Sequence, residues 1–183
     1  LKRSIALQRF INGLTFFRML LGLPIIFALV NSNKDIFILL IALGGLTDFF
    51  DGYIARKYDH QSTLGAKLDP LADKILLLGP MIWLAVEDLV PIWAIWLIIS
   101  RELLITSWRS GKSTGGPASV QGKLKTALQF SSLILLLWPH DWGSIYTVNL
   151  FNQIGYALFW ISLFLSYSSA IRYFLIQKET HQS

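Results

Sequence analysis

The amino-acid sequence predicts an all-α integral membrane bundle of six transmembrane helices, with a short amphipathic helix on the membrane surface at its N-terminus. Three observations carry this expectation. Of 183 residues, 54% are hydrophobic and only 15% are charged, too few polar groups to coat a soluble domain of this size. Mean hydropathy is +0.52. Six stretches approach the roughly 20 apolar residues that a spanning helix needs, and segments with loop chemistry separate them. The length suits one domain over residues 1–183.

Residues 1–9 are too polar for a signal peptide and lack a cleavage pattern. They read as a juxtamembrane helix lying on the surface. The chain begins at Leu1, so native residues are expected to precede it. Spans follow at about 10–30, 36–57, 69–86, 91–109, 123–139 and 150–174. The breaks are Asn31-Ser32-Asn33, the segment 58–68, Val90-Pro91, a Gly/Ser/Thr stretch at 110–122, and 139–149. Two aspartates in the second span and two at the start of the third weaken their hydropathy, but the runs beside them are strongly apolar.

Charge gives the orientation. Six spans place both termini on one side, with the loops 58–68 and 110–122. That side takes all of the 16 Lys and Arg except Lys34. The positive-inside rule makes it the cytoplasmic side. Trp83, Trp93, Trp138 and Trp142 fall near the outer ends and Trp108 near the inner one, as an interfacial belt or as simple packing. The net charge of +5 forms no basic stripe free of apolar runs, so a nucleic-acid partner is not expected; anionic lipid contact is. Without cysteine there is neither a disulfide nor a thiolate metal site. A small cysteine-free chain of this kind suits a bacterial inner membrane, crossed several times.

The informative stretch runs from Thr47 to Lys74. Asp48 and Asp51 are three apart on a helix, and Asp69 and Asp73 are four apart, so each pair shares a face. Counted back from Lys57, Asp51 lies about 9 Å and Asp48 about 13 Å below the cytoplasmic helix end. Carboxylates at that depth are costly unless they line a wet cavity or meet cations. Arg56 and Lys74 are too few to neutralise four of them. Two divalent ions would suffice, and clustered carboxylate oxygens suit Mg²⁺ or Mn²⁺. Gly44, Gly45, Gly52 and Ala55 run along the same side of the second span. Gly44 and Gly45 fit helix packing or ligand approach equally; Gly52 and Ala55 suit a ligand seat. Arg56 suits a diphosphate, or an interfacial anchor.

This stretch resembles a known family. Asp48-x-x-Asp51-Gly52-x-x-Ala55-Arg56, eight further residues, then Gly65-x-x-x-Asp69-x-x-x-Asp73 is similar to the signature of the CDP-alcohol phosphatidyltransferases. The resemblance implies an enzyme in which Asp48, Asp51 and Asp69 ligate two metals. It implies that Asp73 also touches a metal and acts as base. It further implies that Asp48, Gly52, Ala55, Arg56, Gly65 and Asp69 hold the CDP group, and that the protein is a homodimer.

The chemistry also follows from the residues. A metal-bound diphosphate has its charge neutralised and its β-phosphorus open to attack. The incoming hydroxyl needs a base, and Asp73, one turn deeper than Asp69, is best placed. Single displacement is favoured, because no serine–histidine pair is evident and His60, His140 and His181 sit in loops or tails. Arg101 lies about 12 Å below its helix end, level with the estimate for Asp48. It suits the phosphate of an acceptor, or pairing with Glu102 or an aspartate. Arg109, Lys123 and Lys125 line the same entrance, or serve only as positive-inside residues.

Ser100-Arg101-Glu102-Leu103-Leu104-Ile105-Thr106, Trp108-Arg109 and Gly122-Lys123-Leu124-Lys125-Thr126 are similar to the phosphatidylglycerophosphate synthases within that family. So is Leu14-Thr15-x-x-Arg18. The resemblance implies CDP-diacylglycerol as donor and sn-glycerol 3-phosphate as acceptor, at a cytoplasmic site. Phosphatidylglycerol, inositol phosphate and serine are the alternative acceptors. A divalent-cation transporter would need polar residues continuing outward, and the outer halves of the spans are apolar.

Overall fold

The computed structural model describes the backbone of residues 2–58, 63–110 and 120–180, and the side chains of 12–48, 50, 71, 72, 74–106 and 124–171. Among them are six α-helices, one 3₁₀ turn and no strand. In chain order these are α1 (Lys2–Val30), α2 (Lys34–Tyr58), α3 (Thr63–Val86), α4 (Ile92–Ser110), α5 (Val120–Leu136), the turn His140–Trp142, and α6 (Ile145–Thr180). Each helix overlaps an expected span, with three differences. α3 begins at Thr63, six residues before the expected start and within the expected break 58–68. Residues 2–9, expected as a separate surface helix, continue without a break into α1. The last span extends at both ends to 36 residues.

The helix ends have local causes. Asn33 N–H reaches Ala28 O at 2.8 Å and Ser32 N–H reaches Leu29 O at 2.8 Å, the paired bonds of a Schellman cap on α1. Ser32 takes the left-handed position, at φ 55°. Asn33 then starts α2, its Oδ1 accepting from Ile36 N–H at 3.2 Å. The end of α3 repeats the pattern: Leu89 N–H bonds Leu84 O and Asp88 N–H bonds Ala85 O, with Asp88 at φ 54°. Ser144 caps α6 through Thr147 N–H.

The chain divides into two compact units, Leu1–Trp83 and Leu84–Ser183. In the first, α1 buries Thr15, Arg18, Leu21, Ile25, Ala28 and Leu29, a stripe at three- and four-residue spacing. Gly22 lets α1 come close to α3: a Cβ there would lie 3.6 Å from Ile75 O. Gly79 of α3 faces Ile26, whose Cγ1 would be 2.7 Å from a Cβ. Gly44 of α2 is filled by Leu76, with Cδ2 at 2.6 Å from a Cβ. Of its two expected roles, Gly44 therefore serves helix packing.

The second unit is organised by α6. Gly155, Phe159, Ser162, Leu163, Ser166 and Ala170 are buried along it, so one stripe is made largely of small residues. At Gly155 a Cβ would meet Leu135 Cβ and Leu136 Cγ at 3.0 Å and Leu136 N at 3.1 Å. Ser132 Oγ of α5 donates to Gly155 O at 2.8 Å. Against α4, Tyr167 Oη donates to Leu97 O at 3.2 Å and Trp93 meets Trp160 with centroids 5.6 Å apart.

The outward faces are as apolar as the inward ones. Leu23 is 71% exposed and Phe27 73%, and on α6 Ile145 is 83% and Phe164 73% exposed. Asn12–Val30 and Ile145–Ile171 are long and apolar enough to cross a membrane; Lys74–Val86 and Leu124–Leu136 are shorter apolar helices. A contiguous face of this kind favours lipid over water, and the apolar helices point to a membrane protein.

Candidate active site

All four signature aspartates are on helices of the first unit: Asp48 and Asp51 one turn apart on α2, Asp69 and Asp73 one turn apart on α3. Gly52, Ala55 and Arg56 continue along α2, and Gly65 opens α3. Of these residues only Asp48 has a described side chain. The side chains of Asp51, Gly52, Ala55, Arg56, Gly65, Asp69 and Asp73 lie outside the described residues.

Asp48 brings in a partner that the sequence reading did not pair with it. Arg18 of α1, fully buried, donates from Nη1 to Asp48 Oδ1 at 2.7 Å. A charge-assisted bond of this length holds the carboxylate in one place. The Asp48 side chain is itself 53% exposed, so it is tethered while staying accessible. The count of local cations made from Arg56 and Lys74 was therefore incomplete. Arg18 is thirty residues away in sequence, and only the packing of α1 on α2 joins them. The signal available was Thr15-x-x-Arg18, an arginine on the buried stripe of an apolar helix, which demands a partner.

This donor set fits divalent metal. It is made of carboxylates, the described member is accessible, and hard ions prefer such oxygens. Among the described residues no three acidic or histidine side chains gather as a metal site, since three of the four aspartates are not among those with described side chains.

The predicted acceptor cations divide likewise. Arg109 and Lys123 have no described side chain. Arg101 and Lys125 are buried in the second unit, 7% and 5% exposed. Arg101 donates from Nη1 to Glu102 Oε1 at 2.9 Å and from Nη2 to Ser169 Oγ at 2.6 Å. Lys125 Nζ joins the same Glu102 oxygen. The structure thus brings Arg101 and Lys125 together and makes the pairing with Glu102 that was one of the two expectations for Arg101. Ser169 was missed: a serine in an apolar helix gives little signal, and here it lies three residues beyond buried Ser166.

Residues 10–168 match the CDP-alcohol phosphatidyltransferase model. The CDP-diacylglycerol–glycerol-3-phosphate 3-phosphatidyltransferase of Rickettsia typhi is 36% identical, covering 89% of this chain and 93% of the relative. The enzyme of that name from Wigglesworthia glossinidia brevipalpis is 34% identical over 89% and 91% of the two chains. That from Shigella flexneri is 32% identical over 74% of each. The matched span takes in every residue of the signature together with Arg18, Arg101 and Lys125, and the chain belongs to the CDP-alcohol phosphatidyltransferase family.

Proposed function

We propose that this chain transfers the phosphatidyl group of CDP-diacylglycerol to sn-glycerol 3-phosphate, giving phosphatidylglycerophosphate and CMP. The observation that carries the reading is the family membership, with relatives named for that reaction matched over most of both chains. The acceptor hydroxyl forms a bond to the β-phosphorus as the bond to the CMP oxygen breaks, in a single displacement. Asp73 takes the hydroxyl proton. Gly52, Ala55 and Gly65 leave room for the CDP group, and Arg56 bonds its diphosphate. Asp48, Asp51, Asp69 and Asp73 hold two divalent ions, Mg²⁺ or Mn²⁺, which when bound neutralise the diphosphate and stabilise the departing oxygen. Arg18 keeps Asp48 in position. Arg101, Arg109, Lys123 and Lys125 bind the acceptor's phosphate.

The setting is a bacterial inner membrane. Residues 1–183 form one catalytic domain with six spans, both termini and the active site being cytoplasmic. The exposed apolar faces of α1 and α6 and the one-sided distribution of Lys and Arg support this. A homodimer follows from the family resemblance.

The test is product analysis with purified protein in detergent. CMP and phosphatidylglycerophosphate should appear from the two substrates and vanish on chelation of metal. Asp73→Asn should bind CDP-diacylglycerol normally and lose on the order of 100-fold or more in turnover. CMP release with phosphatidylglycerol but not with glycerol 3-phosphate would overturn the choice of acceptor.

A further inference from the structure

Two side chains of α6 hold one turn of α4. Tyr167 Oη donates to Leu97 O at 3.2 Å, and Ser169 Oγ accepts from Arg101 Nη2 at 2.6 Å. Leu97 and Arg101 are one helical turn apart, so the first bond fixes the backbone beneath the arginine and the second fixes its charged end. Ser169 Oγ also donates to Ser166 O of its own helix at 2.9 Å. A serine hydroxyl has one hydrogen and two lone pairs. With the hydrogen committed to the backbone, the hydroxyl turns its acceptor side to the guanidinium, and α6 holds it there.

The guanidinium gains from such a hold. An arginine side chain has several rotatable bonds, and a ligand that must order it loses affinity. Arg101 has a second contact, from Nη1 to Glu102 Oε1 at 2.9 Å, but Glu102 is its neighbour on the same helix and moves with it. Ser169, 68 residues away in sequence, is the point of reference from outside α4. Bonds to two different nitrogens define the plane of the guanidinium, whereas one alone leaves it free to swing about that contact.

We infer that Ser169 is a positioning residue for acceptor binding: it presets the Arg101 guanidinium in the orientation that receives the phosphate of glycerol 3-phosphate. The inference rests on the proposal that Arg101 binds that phosphate. Ser169 acts through Arg101, not on the substrate. Recognition of phosphate by a planar guanidinium depends on the direction of its plane, so losing the preset plane weakens acceptor binding. It leaves donor binding, and turnover once the acceptor is bound, nearly as they were.

The test is steady-state CMP release by the purified full-length enzyme in mixed micelles with CDP-diacylglycerol and magnesium. Ser169→Ala should raise the KM for glycerol 3-phosphate about three- to tenfold, as expected when the ligand itself must order the side chain. Its kcat and its KM for CDP-diacylglycerol should change less than about twofold. Ser169→Thr keeps a hydroxyl able to bond the same backbone carbonyl and should restore the KM to within about twofold of wild type. Tyr167→Phe is the control for loosened packing, since it removes the backbone bond between α4 and α6 and leaves the guanidinium held. Its KM for glycerol 3-phosphate should stay within about twofold of wild type. An equal rise in Tyr167→Phe, or a fall in kcat without a rise in KM in Ser169→Ala, would make Ser169 a packing residue and overturn the inference.

A double-mutant cycle tests the route through Arg101. In the Arg101→Gln background, Ser169→Ala should add less than about twofold to the KM, and fully additive effects would overturn the inference. If Ser169→Ala cannot be purified folded, Ser169→Cys removes the hydroxyl at similar size; the same rise in KM is expected, and an unchanged KM overturns the inference. Failure of the underlying reading looks different. Arg101→Gln would then itself leave the KM for glycerol 3-phosphate at the wild-type value, whereas failure of the inference alone leaves that KM raised in Arg101→Gln and normal in Ser169→Ala.

Discussion

The two units each bury arginine against a carboxylate, and they do so with opposite emphasis. In the first, a fully buried cation, Arg18, serves a half-exposed anion, Asp48. In the second, two buried cations, Arg101 and Lys125, share one mostly buried anion, Glu102. The first arrangement displays the negative charge and hides the positive; the second buries both cations and leaves their shared carboxylate mostly covered. The same pair of side-chain types thus leaves a carboxylate accessible in one place and covered in the other. The surroundings decide which, through the number of partners and which partner is exposed.

This contrast predicts that the two arginines affect different kinetic parameters. Arg18→Gln releases Asp48 from its tether and should lower turnover on the order of 100-fold, because small displacements of a positioning group are expensive in rate. It should also raise the magnesium concentration needed for half-maximal activity, with the KM for glycerol 3-phosphate little changed. Arg101→Gln should instead raise that KM on the order of tenfold or more, the loss of about 1.5–3 kcal/mol expected for a charged hydrogen bond. Steady-state kinetics at varied metal and acceptor would separate them. A shift of the same parameter in both variants would break the contrast.

The units also differ in how they bring helices together, and the expected effects are smaller. Gly155→Ala pushes against the backbone nitrogen of Leu136 and should cost about 1–3 kcal/mol of stability. Gly44→Ala meets the side chain of Leu76 rather than backbone and should cost under about 1.5 kcal/mol. Denaturant titration in detergent compares them directly. Smallest is a gain: Asp88→Gly removes the left-handed strain of the α3 cap and should stabilise by about 1 kcal/mol. Ser32→Gly should do the same in the first unit.

What could be read from the sequence and what could not follow a physical division. Apolar runs and Asn, Gly and Pro breaks locate helices because these are local properties, and every expected span overlaps a helix. The signature aspartates were legible because three- and four-residue spacing on a helix sets their relation without any knowledge of packing. Arg18 with Asp48, and Lys125 with Glu102, were not paired in advance, since each contact depends on which faces of two helices meet. Glu102 beside Arg101 was legible as one of two options. The continuity of α1 through residues 2–9 was missed because polar composition was taken to mark a boundary, although lysine, arginine and glutamine are good helix formers.

The Arg18–Asp48 bond also bears on biogenesis. An arginine or aspartate near the middle of an inserting helix costs about 2.5–3.5 kcal/mol; α1 carries Arg18, and α2 carries Asp48 and Asp51. Joined by a bond between adjacent helices, Arg18 and Asp48 would enter lipid as a neutral pair. The three-residue connection Asn31–Asn33 leaves α1 free to wait only briefly for its partner. The two helices are therefore expected to insert as one hairpin. A glycosylation-mapping assay should show α1 with Arg18 inserting less efficiently alone than when α2 follows it, and Asp48→Ala should remove that help.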